Sequence, residues 1–231
     1  TVAGNGAVVP GASSVGVGGG STVTGLPANH GTIEIVPTSG AHVYTLQVTN
    51  NAGTILNSSP INVTATDAPF IEAFGAGRAA VTLGDTVQIE ARFIGGTGLL
   101  MPGEIVMTSG EAVEVSPAAT TLYSLTVTNI AGDMVDASSL VTVYPAPTIT
   151  SFASSASPIT AGNGTQLTPV FAGGTGVITP GNITATSGAP VTVTPSTTTA
   201  YTLTVTNPAG SIVSAQYTIT VVPAPVIASF A

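Results

Sequence analysis

The sequence predicts an all-β chain of three β-sandwiches in tandem, and three observations carry that expectation. A block recurs at a spacing of 78 residues, marked by Pro69, Pro147 and Pro225. Inside each block apolar and polar residues alternate with a period of two, the pattern of half-buried strands. Glycine clusters and Ser-Gly pairs punctuate the alternation where tight turns need them, and no segment carries a helical period.

The repeat is legible residue by residue. Asp67-Ala68-Pro69-Phe70-Ile71-Glu72-Ala73-Phe74 returns as Pro145-Ala146-Pro147-Thr148-Ile149-Thr150-Ser151-Phe152 and as Pro223-Ala224-Pro225-Val226-Ile227-Ala228-Ser229-Phe230. Tyr44, Tyr123 and Tyr201 each open a Tyr-x-Leu-x-Val-Thr-Asn run that ends at Asn50, Asn129 or Asn207 and is followed by an Ala-Gly pair. These anchors divide the chain into 1–66, 67–144, 145–222 and a closing segment 223–231.

Strands follow in order. In copy one the alternating pairs are Ile33-x-Ile35, Tyr44-x-Leu46-x-Val48 and Ile61-x-Val63. In copy two Val87, Ile89, Ala91 and Phe93 interleave with Gln88, Glu90 and Arg92, and Val113-x-Val115, Tyr123-x-Leu125-x-Val127 and Leu140 to Val143 continue the pattern. Copy three repeats it at Val191-x-Val193, Tyr201-x-Leu203-x-Val205 and Ile219-x-Val221. Gly95-Gly96-Thr97-Gly98 and Gly173-Gly174-Thr175-Gly176, with Ser109-Gly110 and Ser187-Gly188, supply the turns. Ile71 and Phe74 lie three residues apart, as do Ile149 and Phe152, so both can enter one core only if a bulge intervenes.

Composition excludes several functions. Cysteine is absent, which removes disulfides, thiol chemistry and thiolate metal sites. Arg78 and Arg92 are the only cations against ten acids, and lysine is absent, so Schiff-base chemistry is excluded and an anionic nucleic acid or membrane surface is a poor partner. No apolar run is long enough to span a bilayer. Charge is concentrated in copy two, which has nine of the acids and both arginines, whereas 145–231 has none. A Thr/Ser-rich chain with so few charged residues suits a processed, secreted structural protein.

About seven short strands per block, with a tyrosine entering the penultimate strand, match an immunoglobulin-like sandwich without its disulfide or tryptophan. Ile149-Thr150-Ser151-Phe152, Ile159-Thr160-Ala161-Gly162, the run Pro195 to Leu203 and Asn207-Pro208-Ala209-Gly210 make the chain similar to the bacterial immunoglobulin-like repeats of cell-surface and extracellular proteins. The resemblance covers copies two and three and the latter half of copy one; residues 7–30, richer in glycine, depart from it. It implies a stalk, spacer, adhesin or fibre subunit, with no cofactor and no enzymatic activity.

The phase of the repeat suggests how copies could join. Val2-Ala3-Gly4-Asn5-Gly6 aligns with Thr160-Ala161-Gly162-Asn163-Gly164, which leaves copy one without the equivalent of 147–158. The first sandwich is therefore expected to lack its N-terminal edge strand. Pro225, Val226, Ile227, Ala228 and Phe230 have the sequence to replace it, against a groove with Val8, Val9, Ile61 and Val63, in a neighbouring identical subunit. That mode resembles the assembly principle of donor-strand pili and would yield a head-to-tail extracellular filament. The alternative expectation is a fragment of a longer repeat stalk or adhesin on the cell surface.

Other candidate sites are sparse. His30, His42, Asp133 and Asp136 are too few to hold a metal ion and read as solvated loop residues, while Glu104, Glu111 and Glu114 do not compose a catalytic pair. Asn57, Asn62, Asn163 and Asn182 head Asn-x-Ser/Thr sequons, so glycans are a possible second partner.

Overall fold

A computed structural model describes residues 37–45 and 54–228 in full and, as backbone only, the segments Val2–Gly4, Ala12–Val17, Ser21–Val23, Gly31–Ile33 and Leu46–Asn50. Among the described residues every element is a strand. Module one contributes β1 (Val2–Gly4), β2 (Ala12–Val17), β3 (Ser21–Val23), β4 (Gly31–Ile33), β5 (Gly40–Tyr44), β6 (Leu46–Asn50), β7 (Ile55–Asn57) and β8 (Ile61–Ala65). Module two comprises β9 (Phe70–Ala76), β10 (Ala80–Thr82), β11 (Val87–Ile94), β12 (Thr97–Met101), β13 (Ile105–Met107), β14 (Ala112–Val115), β15 (Thr121–Thr128) and β16 (Met134–Tyr144). Module three repeats these as β17 (Thr148–Ser154), β18 (Ile159–Thr160), β19 (Thr165–Ala172), β20 (Thr175–Thr179), β21 (Ile183–Ala185), β22 (Val191–Val193), β23 (Thr199–Thr206) and β24 (Ile212–Ile219), and adds β25 (Val221–Val222).

In module two the sheet β14-β11-β9 packs on the sheet β10-β16-β15-β12-β13, and module three copies the arrangement as β17-β19-β22 on β21-β20-β23-β24. Among the described residues all pairings are antiparallel except β10 with β16 and β18 with β25, which run parallel. These are tandem immunoglobulin-like sandwiches. Alternation dictates the core: Val87, Ile89, Ala91 and Phe93 turn inward to meet Leu100, Tyr123, Leu125, Val127 and Val141 from the opposite sheet. Leu167, Ile178, Tyr201, Leu203, Val205 and Ile219 do the same in module three. Burial of Tyr123 and Tyr201 raises the pKa of both phenols.

The expected bulge is present in both modules. Phe74 pairs with Ala91 and Ala73 with Arg92, but Ile71 pairs with Phe93, so Glu72 is the extra residue. Thr150 is skipped in the same way between Ile149 and Ser151. The extra residue puts Ile71 and Phe74 on one face, and both pack against the core.

The turn residues are fixed by close approach. A Cβ on Gly98 would sit 2.8 Å from the Phe93 ring, and one on Gly176 would sit 2.6 Å from Phe171, so an aromatic residue in β11 or β19 requires glycine across the core. Each Ser-Gly pair stands in for a missing neighbour strand. The Phe93 amide donates to Ser109 Oγ at 2.9 Å while the Gly110 amide donates to the Ala91 carbonyl at 2.8 Å. Ser187 and Gly188 serve Phe171 and Pro169 likewise. Pro169, fully buried in a strand, is tolerated because it lies beyond Leu167, the last residue paired with β22.

Module one corrects one alignment. Val2–Gly4 pairs antiparallel with Gly31–Ile33, as β11 pairs with β14, rather than parallel to the last strand as β10 and β18 do. The match of Val2 to Gly6 with Thr160 to Gly164 rested on a short Ala-Gly-Asn-Gly string, and strand pairing overrides it. Among the described residues of module one, no strand takes the place of β9 or β10.

Candidate functional site: the module junction

The sites proposed from sequence distribute unevenly. Val8, Val9, His30 and Phe230 lie outside the described residues. Ile61 is exposed and Val63 half-buried on β8, which pairs with β5. Val226 and Ile227 are 86% and 85% exposed, and Pro225 and Ala228 are exposed with them. Asn57, Asn62, Asn163 and Asn182 are all exposed. His42 Nε2 lies 2.6 Å from the Thr38 carbonyl and its ring stacks on Tyr44. Among the described residues no three of His, Cys, Asp and Glu come together as metal ligands. Glu114 faces outward from β14.

Asp133 and Asp136 each have a structural partner, and Asp136 lies in β16 rather than in a loop. Asp136 Oδ1 accepts a 2.6 Å bond from the Thr126 hydroxyl across the sheet. Asp133 Oδ2 accepts a 2.9 Å bond from the Asn129 side-chain amide. That second contact leads to a polar site built from a buried carboxamide.

Asn129 and Asn207 directly follow the strands β15 and β23 and are 6% and 3% exposed. A buried carboxamide must satisfy its donors and acceptors within the protein. Asn129 Oδ1 accepts from the Ala131 and Asp133 amides at 3.0 and 2.9 Å, which shapes the hairpin, and Gly132 takes the positive φ of 92° that the turn needs. Its Nδ2 reaches out of the module and donates to the Asp67 carbonyl at 3.1 Å and to Thr66 Oγ1 at 3.2 Å. Asn207 repeats the arrangement: Oδ1 accepts from the Ser211 amide at 2.8 Å, and Nδ2 donates to the Pro145 carbonyl at 3.0 Å. The asparagine is therefore a latch that ties each hairpin to the linker entering its own module.

The latch at the second junction also crosses between modules. Asn207 Nδ2 lies 2.9 Å from Thr82 Oγ1 in β10 of module two, and Ser211 Oγ bonds the same hydroxyl. Thr82 is 5% exposed, and its amide is capped by Asp85 Oδ2 at 3.2 Å. On the other side of the linker the first glycine of each Gly-Gly-Thr-Gly turn closes the grip. A Cβ on Gly95 or Gly173 would stand 2.8 Å from the Ala68 or Ala146 carbonyl, and both glycines have positive φ, 78° and 79°. At the first junction an open cleft of ≈ 420 Å³ remains, bounded by Ser39, Thr66, Asp67, Gly95 and Asn129 among others.

Sequence reasoning used these asparagines only as repeat markers. The available signal was their recurrence at the end of a strand whose inward residues are all apolar, since a carboxamide there needs partners beyond the ladder.

No known family profile matches the sequence, and no curated protein matches it. Solved structures do. The chain is similar to extracellular domains 3–5 of Drosophila OTK, with a TM-score of 0.50 at 12% identity over 80% of this chain and 72% of that one. It is also similar to the N-terminal eight Ig domains of Down Syndrome Cell Adhesion Molecule (DSCAM) isoform 1.30.30, with a TM-score of 0.50 at 14% identity over 78% of this chain and 28% of that one. At such identities the likeness establishes the fold: the chain is an array of immunoglobulin-like domains.

Proposed function

We propose that the chain is a stretch of a surface-exposed or extracellular repeat protein with a mechanical role, its immunoglobulin-like modules held in line to space or present other parts for adhesion. The repeated asparagine latch is the observation that supports this reading most. It anchors each linker to the module that follows and, at Thr82, to the module before, while the prolines of Pro145-Ala146-Pro147 restrict the backbone between. A joint of this kind resists bending. The motifs shared with bacterial surface repeats, together with the likeness to one extracellular array and one cell adhesion molecule, point the same way. Antibodies raised against the chain should label intact cells, and external protease should remove the label. Labelling that requires permeabilised cells overturns the reading.

A second reading, a head-to-tail filament of identical subunits, is favoured by the contrast between Ile227 and its equivalent Ile149. Ile149 packs against the core of module three, whereas Ile227 lies 85% exposed in a segment of the same sequence pattern. Strand addition to module one of another copy would bury it, contributing about 1.5 to 3 kcal/mol for that side chain alone. Deleting residues 225–231 should then leave monomers, and long fibres surviving the deletion would sink this second reading.

A further inference from the structure

Modules two and three share a turn and differ in how it is capped. Thr82-Leu83-Gly84-Asp85 has Thr160-Ala161-Gly162-Asn163 as its counterpart. The Asp85 amide donates to the Thr82 carbonyl at 2.9 Å and the Asn163 amide to the Thr160 carbonyl at 3.0 Å, and Gly84 and Gly162 take positive φ of 96° and 87°. In module two the Asp85 carboxylate then closes the turn, accepting from the Thr82 amide at 3.2 Å. Module three has the turn without this cap. Neither the Thr160 amide nor the Asn163 side chain has a hydrogen-bond partner among the described residues.

Asn163 is followed by glycine, and both residues are exposed. An Asn-Gly pair is chemically labile in water, because glycine has no side chain to keep its own backbone nitrogen away from the preceding carboxamide. The Gly164 nitrogen attacks Asn163 Cγ: a C–N bond forms, the Cγ–Nδ2 bond breaks and ammonia leaves. Water then opens the cyclic imide at either carbonyl, giving aspartate or isoaspartate at position 163. The fold leaves this route open, since Gly164 precedes β19 rather than lying in its ladder and no hydrogen bond engages its amide among the described residues. Asn5-Gly6, the other such pair in the sequence, lies outside the described residues.

We propose that Asn163 is a site of spontaneous deamidation, through which module three acquires the carboxylate that module two encodes as Asp85. Aspartate at 163 caps the Thr160 amide as Asp85 caps Thr82, with the added strength of a charged acceptor. It also brings a charge to 145–231, which is encoded without any. The sequon Asn163-Gly164-Thr165 does not compete for the residue once the module has folded. Thr165 is 4% exposed, and its hydroxyl bonds Ser154 Oγ at 2.8 Å and the Ala156 carbonyl at 3.0 Å, so a glycosylating enzyme cannot reach it.

The test incubates the folded chain in mildly alkaline buffer beside a synthetic peptide of residues 158–169, until the peptide has converted, and maps both by mass spectrometry. Asn163 of the chain should show the mass increase of an NH2-to-OH exchange, with aspartate and isoaspartate products separated by chromatography. Its rate should lie within about tenfold of the peptide's, since an unbonded loop opens at little cost. Asn62 and Asn182 are also exposed but precede Val63 and Ile183, and they should stay amidated over the same period. Asn163→Asp, which supplies one product directly, should slow hydrogen exchange of the Thr160 amide about tenfold. A chain that keeps Asn163 amidated while the peptide converts, or that converts only after urea has unfolded it, overturns the site. An Asn163→Asp chain whose Thr160 amide exchanges as fast as the parent's overturns the cap.

Discussion

Modules two and three have one backbone and two surfaces. Their cores agree position for position: Val81 with Ile159, Ile89 with Leu167, Leu100 with Ile178, Leu125 with Leu203, Val127 with Val205 and Val141 with Ile219. Their outer faces on the sheet containing β15 or β23 do not. Module two places Leu99, Met101, Val106, Leu122 and Leu140 in solvent, where module three has Val177, Thr179, Thr184, Ala200 and Thr218. Charge divides in the same way, with every ionisable side chain of the pair on module two apart from tyrosine. Fold is therefore specified by the inward half of each strand and by glycines at close approaches. The outward half is left to vary with the surroundings of each module.

If the cores are equivalent, they should fail equally. Leu125→Ala and Leu203→Ala each remove a fully buried side chain from the middle of the penultimate strand and should cost about 2 to 5 kcal/mol. Each should lower only its own module's unfolding step in a calorimetric trace. A difference between them above about 1 kcal/mol would break the equivalence, because it would mean that one core relaxes around a cavity and the other does not.

The junctions should differ more than the cores. Asn207→Ala removes bonds to Pro145 and to Thr82, and so loosens contact between modules two and three as well as the hairpin. Asn129→Ala removes bonds to Asp67 and Thr66, both in the linker itself. Each removes a buried carboxamide together with its hydrogen bonds, at a cost of about 1 to 3 kcal/mol. Only Asn207→Ala should increase the angular spread between modules two and three. Small-angle scattering of the two variants checks this, and equal broadening at both joints would show that Thr82 carries no part of the load.

At one buried position an apolar side chain is exchanged for a hydroxyl, and it sets a smaller expectation. Val87 and Thr165 are equivalent and both buried. Thr165 Oγ1 bonds Ser154 Oγ at 2.8 Å, and lies 3.0 Å from the Ala156 carbonyl. Module two has Ala76 in place of Ser154, so the Ser154 hydroxyl has no counterpart there. Val87→Thr should therefore cost about 1 to 3 kcal/mol for a buried hydroxyl without the Ser154 partner, and Thr165→Val about 1 kcal/mol, measured by urea unfolding. The reverse order would mean that the hydroxyl network of module three contributes more than its equivalent position suggests.

How much of this was legible depended on whether a residue's role was local. Alternation along Val87 to Phe93 revealed a half-buried strand because burial has the period of the backbone itself. The spacing of Ile71 and Phe74 revealed a bulge because two inward side chains at odd separation allow little else. The Gly-Gly-Thr-Gly turns announced tight backbone, but not that Gly95 faces the linker and Gly98 the Phe93 ring, since both contacts come from distant strands. The latch was hidden for the same reason. Asn207 meets Thr82 across 125 residues, and no window along the chain joins them. Val2 to Gly4 went astray because a four-residue string aligns easily, whereas a strand's place is set by the partner it pairs with.

The smallest stability effect belongs to the outer faces, where the comparison becomes most specific. Leu99 lies opposite Val106 on β13 and opposite Thr126 on β15, and Leu122 opposite Leu140, so these apolar side chains occupy adjoining rows of one surface. Replacing Leu99, Val106, Leu122 and Leu140 by their module-three counterparts Val, Thr, Ala and Thr changes side chains that are between 39% and 67% exposed. Folding stability should change by about 0.5 kcal/mol or less per site. Exposed apolar patches nevertheless lower solubility, and the acids of module two offset this by mutual repulsion between copies. The quadruple variant should therefore tolerate higher salt before precipitating than the parent chain. If stability falls by several kcal/mol instead, those four side chains pack within the module, and the division between an inward half that folds and an outward half that is left to vary does not hold.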